Sequence, residues 1–274
     1  MQIFKRLFDF YLDASVHVAF AVISLLKVSS ILLNTSVKNS LYYFIFFSVI
    51  CAYNFIKYGV EAKKYILVAN KYHKSIQFFS LIALALTIYF SFFIAKDSWG
   101  FILLMLLLTG LYALPFLPNS KNLRSLGGLK IFVVALVWSG ITVILPVIDN
   151  GDAINFNVVI EVIQRFLFVL ILLVPFEIRD LKYDAKDLNT IPQLYGTSTT
   201  RVLGSFTVVL FFFLTIFKEK VSVIEIISKG VLFLLLGFLM LLTKKEQHRY
   251  FSSFFVESIP IFWFGTLLIL EYFS

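Results

Sequence analysis

Apolar windows of about 17 to 22 residues, the length a helix needs to cross a bilayer, recur along the chain near 15–34, 41–57, 74–95, 98–117, 129–149, 157–178, 198–217, 221–242 and 251–273. The pattern predicts nine membrane-spanning helices. The second window runs into Asn54 and Lys57, so its cytoplasmic end is the least sharply marked. No stretch shows the alternating ten-residue apolar segments of a membrane β-barrel. The class is therefore all-α and polytopic, and residues 1–274 read as one domain without a linker or low-complexity tract.

The polar positions between these windows orient the chain. Seventeen Lys and Arg fall in the N-terminal segment and in the connections after the second, fourth, sixth and eighth windows, whereas the other side carries only Lys38, Lys96, Lys218 and Lys220. The positive-inside bias makes the basic side cytoplasmic. The N-terminus is expected there and the C-terminus on the opposite side of the cell membrane. The opening segment lacks a short apolar core with a small-residue cleavage site and reads as mature sequence. The longer connections, near 57–74, 118–130 and 179–197, also lie on the cytoplasmic side, where loops on a rigid scaffold can carry chemistry.

Composition narrows the class further. Hydrophobic residues make up 60% of the 274 positions and charged residues 15%, and the mean hydropathy is +0.92, which places the chain in lipid. The formal charge of +8 is scattered over short loops, which argues against nucleic acid as a partner. The single cysteine, Cys51, sits inside an apolar run and excludes a disulfide framework or a cysteine metal site.

Chemistry concentrates at residues 175–196, PFEIRDLKYDAKDLNTIPQLYG. Glu177, Asp180, Asp184 and Asp187 recur at steps of three, four and three, so a continuing helix would put them on one face. Carboxylates this close repel one another and call for a cation. A hydrated divalent metal holding a phosphorylated substrate meets that need, and a water-facing juxtamembrane helix is the alternative. Asp180 and Asp184 form the best ligand pair, with Asp187 outside them. Asn54 and Glu61 could present a second polar stripe. After the prolines at 115 and 118, Gly127 and Gly128 permit close backbone approach, and Arg124 and Lys130 could pair with phosphate oxygens. A shift of 122 residues lays FIKYGVEAKK over EIRDLKYDAK, setting Ile56 on Ile178, Lys57 on Arg179 and Lys64 on Lys186. In that register Tyr58 and Ala62 stand where the second half has Asp180 and Asp184.

Ionisable residues also lie inside or at the ends of the apolar windows: His17, Lys27, Glu161, Arg165, Glu225, Lys229 and Glu257. Charge there is costly unless paired or hydrated. Glu161 with Arg165 and Glu225 with Lys229 can pair across one helical turn. Glu257 and His17 have no partner nearby in sequence; a structural role or a place on a cavity wall are both open to them.

The chain resembles the UbiA superfamily of intramembrane prenyltransferases. The resemblance rests on nine helices, long cytoplasmic loops after the second and sixth, a Tyr-x-x-Pro turn at 112–115 followed by Gly127-Gly128, and the Arg-Asp-x-x-x-Asp stretch Arg179, Asp180, Asp184. It implies a bundle around a central cavity, in which an isoprenoid chain passes from a polyprenyl diphosphate to a lipophilic or aromatic acceptor with Mg2+ clamping the diphosphate. It further implies metal ligation by Asp180 and Asp184, and phosphate contacts from Lys130, Arg124 and Lys57. The family's first motif, Asn-Asp-x-x-Asp-x-x-x-Asp, falls on 54–62; Asn54 is present, while Phe55, Tyr58 and Ala62 replace the three Asp. Glu61, one position short of the last, could compensate. A non-catalytic isoprenoid-binding or partner protein of the same fold, and a secondary transporter, are the alternative readings.

Overall fold

The computed structural model describes residues 2–61, 71–114, 127–185 and 188–273. The chain runs through α1 (Gln2–Asp13), α2 (Val16–Leu32), α3 (Asn39–Asn54), α4 (Lys71–Ser91), α5 (Ser98–Ala113), α6 (Leu129–Ser139), α7 (Leu145–Asn150), α8 (Phe156–Asp180), α9 (Ile191–Phe213), α10 (Val223–Leu242) and α11 (Ile259–Tyr272). Wide π turns continue α3 over Phe55–Glu61, join α6 to α7 over Gly140–Ile144, and precede α11 over Phe251–Val256. Seven helices are long and apolar enough to cross a membrane, the bent pair α1–α2 makes an eighth, and α5 is a shorter apolar helix. Each of the nine predicted windows thus holds an apolar helix among the described residues.

Local chemistry sets several boundaries. Asn155 caps α8 by accepting a hydrogen bond from the Val158 amide at 3.0 Å, and Ser222 caps α10 through the Glu225 amide at 3.1 Å, satisfying donors that a helix start leaves open. Gly196, with φ of +79°, kinks α9, a conformation that favours glycine. At the elbow between α1 and α2 the axes bend by 56°, with Ser15 in the left-handed region at φ of 60°. The amphipathic α1, which precedes the first apolar window, exposes Ile3, Phe4 and Leu7.

Packing runs α4–α3–α2–α11–α10–α9–α8–α6–α5 around the bundle, and the π turn after α6 closes back onto α2. Phe168, Ile171, Phe211, Leu236 and Trp263 are fully enclosed in one apolar core. Outside it, Leu103, Leu106, Leu107, Phe206 and Leu234 are exposed, as expected where lipid replaces water. The chain is a membrane protein.

At one end of α8 lies a buried ionic cluster. Glu161 takes Arg165 at 3.2 Å, Lys218 at 2.9 Å and Lys229 at 3.2 Å. Glu225 takes Lys218 and Lys229, each at 2.6 Å. Gln164 accepts from Lys229 at 2.7 Å, and Arg165 donates to the Leu25 carbonyl and to Ser29 while lying over Trp263. The two pairs read from the sequence therefore merge into a clasp joining α8, α9, α10 and α2. Lys218, beyond the span of α9, completes it: burial pulls its ammonium down, but Glu161 and Glu225 outweigh that and hold it above the ordinary lysine range.

Candidate functional site

The opposite end of α8 carries the acidic stretch. The helix stops at Asp180, and a turn follows in which the amides of Tyr183 and Asp184 both donate to the Asp180 carbonyl, at 2.8 and 2.9 Å. The four carboxylates therefore do not ride one continuing helix. The turn nevertheless returns Asp184 beside Glu177 and Asp180. Pro175 lies one turn before the end; its ring denies the Ile171 carbonyl a helical donor, and Gln247 binds the Pro175 carbonyl at 2.8 Å.

Lys130 joins this turn to α6. Its ammonium lies 2.8 Å from Glu177 Oε1 and 3.0 Å from Asp184 Oδ2. Gly127 sets that geometry: it has a φ of +61°, and a Cβ there would fall 2.1 Å from the Leu188 carbonyl oxygen. The close approach foreseen for the glycine pair is thus an approach to the loop that follows the acidic turn. Arg179 Nε bonds its neighbour Asp180 at Oδ1, 2.8 Å away.

These groups border a cavity of about 520 Å3. Its charged residues are Lys57, Lys130, Glu177, Arg179, Asp180, Asp184 and Glu257, and its apolar wall includes Val134, Val137, Val169, Leu172 and Leu173. Val169 precedes Asp180 by eleven helical residues, a rise of roughly 16 Å, so the cavity has a charged end and a deep apolar end. Tyr53 and Trp138 meet on its wall, where the indole N–H donates to the Tyr53 hydroxyl at 2.9 Å.

The predicted site residues divide. Asp180, Asp184, Lys130 and Lys57 converge on the cavity. Lys57 also reaches Asp13, 3.5 Å from Oδ1 and 3.4 Å from its carbonyl. Asn54 is 3% exposed and does not line the cavity among the described residues. Its Oδ1 accepts from Ser15 at 2.8 Å, and its Nδ2 donates to the Ala14 carbonyl at 3.1 Å and to Ser80 at 2.9 Å. It staples the α1–α2 elbow to α3 and α4. Arg124 and Asp187 lie outside the described residues, as does the side chain of Glu61. Two residues gain weight: Glu177, the buried anchor of Lys130, and Glu257, which the sequence marked only by its lack of a local partner.

Among the described residues no group of three His, Cys, Asp or Glu side chains could hold an ion. Arg179 and Lys130 each occupy one oxygen of Asp180 and Asp184. The second oxygen of each carboxylate has no described side-chain partner, and Glu177 Oε2 is buried without any hydrogen bond. Magnesium usually takes only one or two carboxylates and completes its shell with water and phosphate oxygens. The residues fit an ion that shares a phosphorylated ligand, and fall short of a self-sufficient protein cage.

No protein-family model and no curated protein matches the chain. Solved structures do. A structure of digeranylgeranylglyceryl phosphate synthase shares 16% identity at a TM-score of 0.57, over 97% of this chain and 96% of that one. A UbiA homolog from Archaeoglobus fulgidus bound to DMAPP and Mg2+ shares 11% identity at a TM-score of 0.59, over 94% and 98% of the two chains. The same homolog bound to GPP and Mg2+ gives 12% identity and a TM-score of 0.58, again over 94% and 98%. The likeness extends over nearly the full length in every case, and the chain has the UbiA-superfamily fold.

Proposed function

We propose that the protein is an intramembrane prenyltransferase that moves an isoprenoid chain from its diphosphate to a lipophilic acceptor. The observation that carries this reading is the polarity of the cavity. Cations and carboxylates gather at one end, and an apolar channel of valines and leucines leads away from them. A diphosphate at the charged end would place its hydrocarbon tail against Val134, Val137, Val169 and Leu172. The UbiA homolog from Archaeoglobus fulgidus, which has the same fold, is bound to DMAPP and Mg2+ in one structure and to GPP and Mg2+ in another, which supports the same ligand class here.

In this reading Lys130, Lys57 and Arg179 attract the diphosphate, and Arg124 joins them. Asp180 and Asp184 would hold Mg2+, with Asp187 and Glu61 as further acidic ligands, while Asn54 stays engaged at the elbow. The metal, when bound, neutralises charge on the leaving diphosphate. Glu177 keeps the Lys130 ammonium at the mouth, and the apolar wall keeps water from the carbon that reacts. Purified protein in lipid nanodiscs with Mg2+ and a panel of prenyl diphosphates is expected to release pyrophosphate, and Asp180→Asn or Asp184→Asn to abolish the release. Wild-type protein that neither binds nor turns over any prenyl diphosphate would sink the proposal.

One observation favours a second reading. Phe55, Tyr58 and Ala62 stand in place of first-motif carboxylates, and Asn54 is engaged at the elbow. A non-catalytic isoprenoid-binding protein would show Mg2+-dependent affinity for prenyl diphosphates without pyrophosphate release.

A further inference from the structure

Glu257 sits between the π turn Phe251–Val256 and α11, on the cavity wall. Its neighbour Ser258 pins this break: the Ser258 amide and hydroxyl both donate to the Phe254 carbonyl, at 2.8 and 2.7 Å, and the hydroxyl lies 3.2 Å from His17 Nε2. With Ser258 held on the protein side, the Glu257 side chain is left on the cavity side, near Tyr53 and Trp138.

The other acids of the bundle interior have partners. Glu161 is held by three buried cations and Glu225 by two of them, and Glu177, Asp180 and Asp184 each have a cation within 3.0 Å. Glu257 forms neither a hydrogen bond nor an ion pair among the described residues, although Lys57 and Arg179 are near enough to attract it. An acid at membrane depth that has no protein partner and faces a cavity is open to a donor from whatever fills that cavity, water in the free protein and a ligand when one is bound. A diphosphate cannot supply that donor, being an anion. A cationic ligand group would meet repulsion from Lys57 and Arg179, whereas a neutral hydroxyl would not. We propose that Glu257 is the residue that selects the acceptor, taking a hydrogen bond from a hydroxyl group and so favouring hydroxyl-bearing molecules over ethers and hydrocarbons of the same shape. This inference rests on the prenyltransferase reading for the role of that ligand; Glu257 shares the cavity with the diphosphate end but lies on the π turn and α11 side of it, away from the acidic turn after α8.

The test uses full-length protein in lipid nanodiscs, with binding followed by tryptophan fluorescence because Trp138 lies on the cavity wall. The probes are 4-propylphenol and 1-octanol, each against its methyl ether, 4-propylanisole and octyl methyl ether. A hydrogen bond to the Glu257 carboxyl predicts that wild-type protein prefers at least one alcohol by about threefold to tenfold. Glu257→Leu is expected to erase that preference, and Glu257→Gln, which keeps an amide oxygen, to retain part of it. Binding of geranyl S-thiolodiphosphate with Mg2+ is expected to persist in all three proteins. No preference in wild type, or full preference in Glu257→Leu, overturns the proposal; should the Leu variant fail to fold, an undiminished preference in Glu257→Gln does so. If the thiolodiphosphate fails to bind while the alcohol preference holds, the prenyl-diphosphate reading fails and Glu257 stands as a hydroxyl-recognition site.

Discussion

Removing the Lys130 ammonium tests how the charged end of the cavity is held together. Nζ lies 2.8 Å from Glu177 and 3.0 Å from Asp184. At an effective dielectric constant of about 20, Coulomb's law gives attractions of roughly 6 and 5.5 kcal/mol. Desolvation cancels much of each, because the side chains of Lys130 and Glu177 are only 11% and 6% exposed. Asp184, at 21%, recovers some hydration when the ammonium leaves. Glu177 does not: its other oxygen is already buried without a partner. Lys130→Met is therefore expected to cost about 2–4 kcal/mol, near the lower part of the range for breaking a buried pair. Adding Glu177→Gln removes the stranded charge and should return most of that stability. Prenyl diphosphate affinity should fall about tenfold or more in both variants, since neither restores the cation. Unfolding by SDS titration in mixed micelles reads the stability, and geranyl S-thiolodiphosphate binding reads the affinity. A Lys130→Met protein as stable as wild type, or a double variant no more stable than the single one, would refute the argument that Glu177 depends on Lys130.

Three further outcomes are expected. Gly127→Ala forces a Cβ to within 2.1 Å of the Leu188 carbonyl at a φ of +61°, so it should lower stability by about 2 kcal/mol and weaken diphosphate binding by displacing Lys130; thermal unfolding and binding in nanodiscs check both. Asn54→Ala removes three hydrogen bonds at the elbow and should cost about 1–3 kcal/mol while leaving the Mg2+ concentration for half-maximal diphosphate binding unchanged. Glu161→Gln leaves three buried cations around one carboxylate and should destabilise the bundle by about 3–5 kcal/mol, with Lys229→Met added to it recovering part of the loss in the same SDS titration. The cluster also sets a pH dependence. Because Lys218 titrates above its ordinary value of 10.5, its contribution is complete below that pH and is lost as pH rises through the folded-state value, so unfolding midpoints should fall on the alkaline side.

What could be read from the sequence was what lipid and local periodicity control. Apolar length fixed the helices, because a segment in hydrocarbon must satisfy its own backbone, and even the short α5 had a window. The amphipathic α1 was passed over because its apolar positions are interleaved with Lys5, Arg6 and Asp9, a pattern that averages out in a window built to find spans. Asp180 and Asp184 were legible as a pair, yet the end of α8 at Asp180 was not: the turn beyond it leads to residues 188 and 189, which lie against Gly127 from another part of the chain, a contact that no local periodicity encodes. Asn54 shows the same limit. An amide at that depth was expected to face protein, and it does, but the elbow that claims it is made by Ala14 and Ser15, forty residues earlier. The i, i+4 pairs Glu161–Arg165 and Glu225–Lys229 were visible; Lys218, which bridges them, was counted only as a loop residue on the opposite side.

The contrast between the two ends of α8 is what gives the open carboxylates their meaning. Glu161 and Asp180 are nineteen residues apart on one helix, roughly 28 Å. At the Glu161 end the oxygens of Glu161, a Gln164 oxygen and one oxygen of Glu225 are taken by Lys218, Lys229 and Arg165, and the cluster has no role left except to hold helices together. The chain can therefore satisfy buried carboxylates when stability alone is at stake. At the other end it leaves Glu177 Oε2 without a hydrogen bond and Glu257 without a described partner, both beside a cavity with an apolar channel. A buried acid left without a partner costs stability in the free protein, and the open oxygens of Asp180 and Asp184 and the carboxyl of Glu257 are the ones that face the cavity, where a ligand can reach them. On the proposed prenyltransferase reading, a donor diphosphate with its metal ion would engage the first and a hydroxyl-bearing acceptor the second, which would make the charged mouth and Glu257 two parts of one bisubstrate cavity.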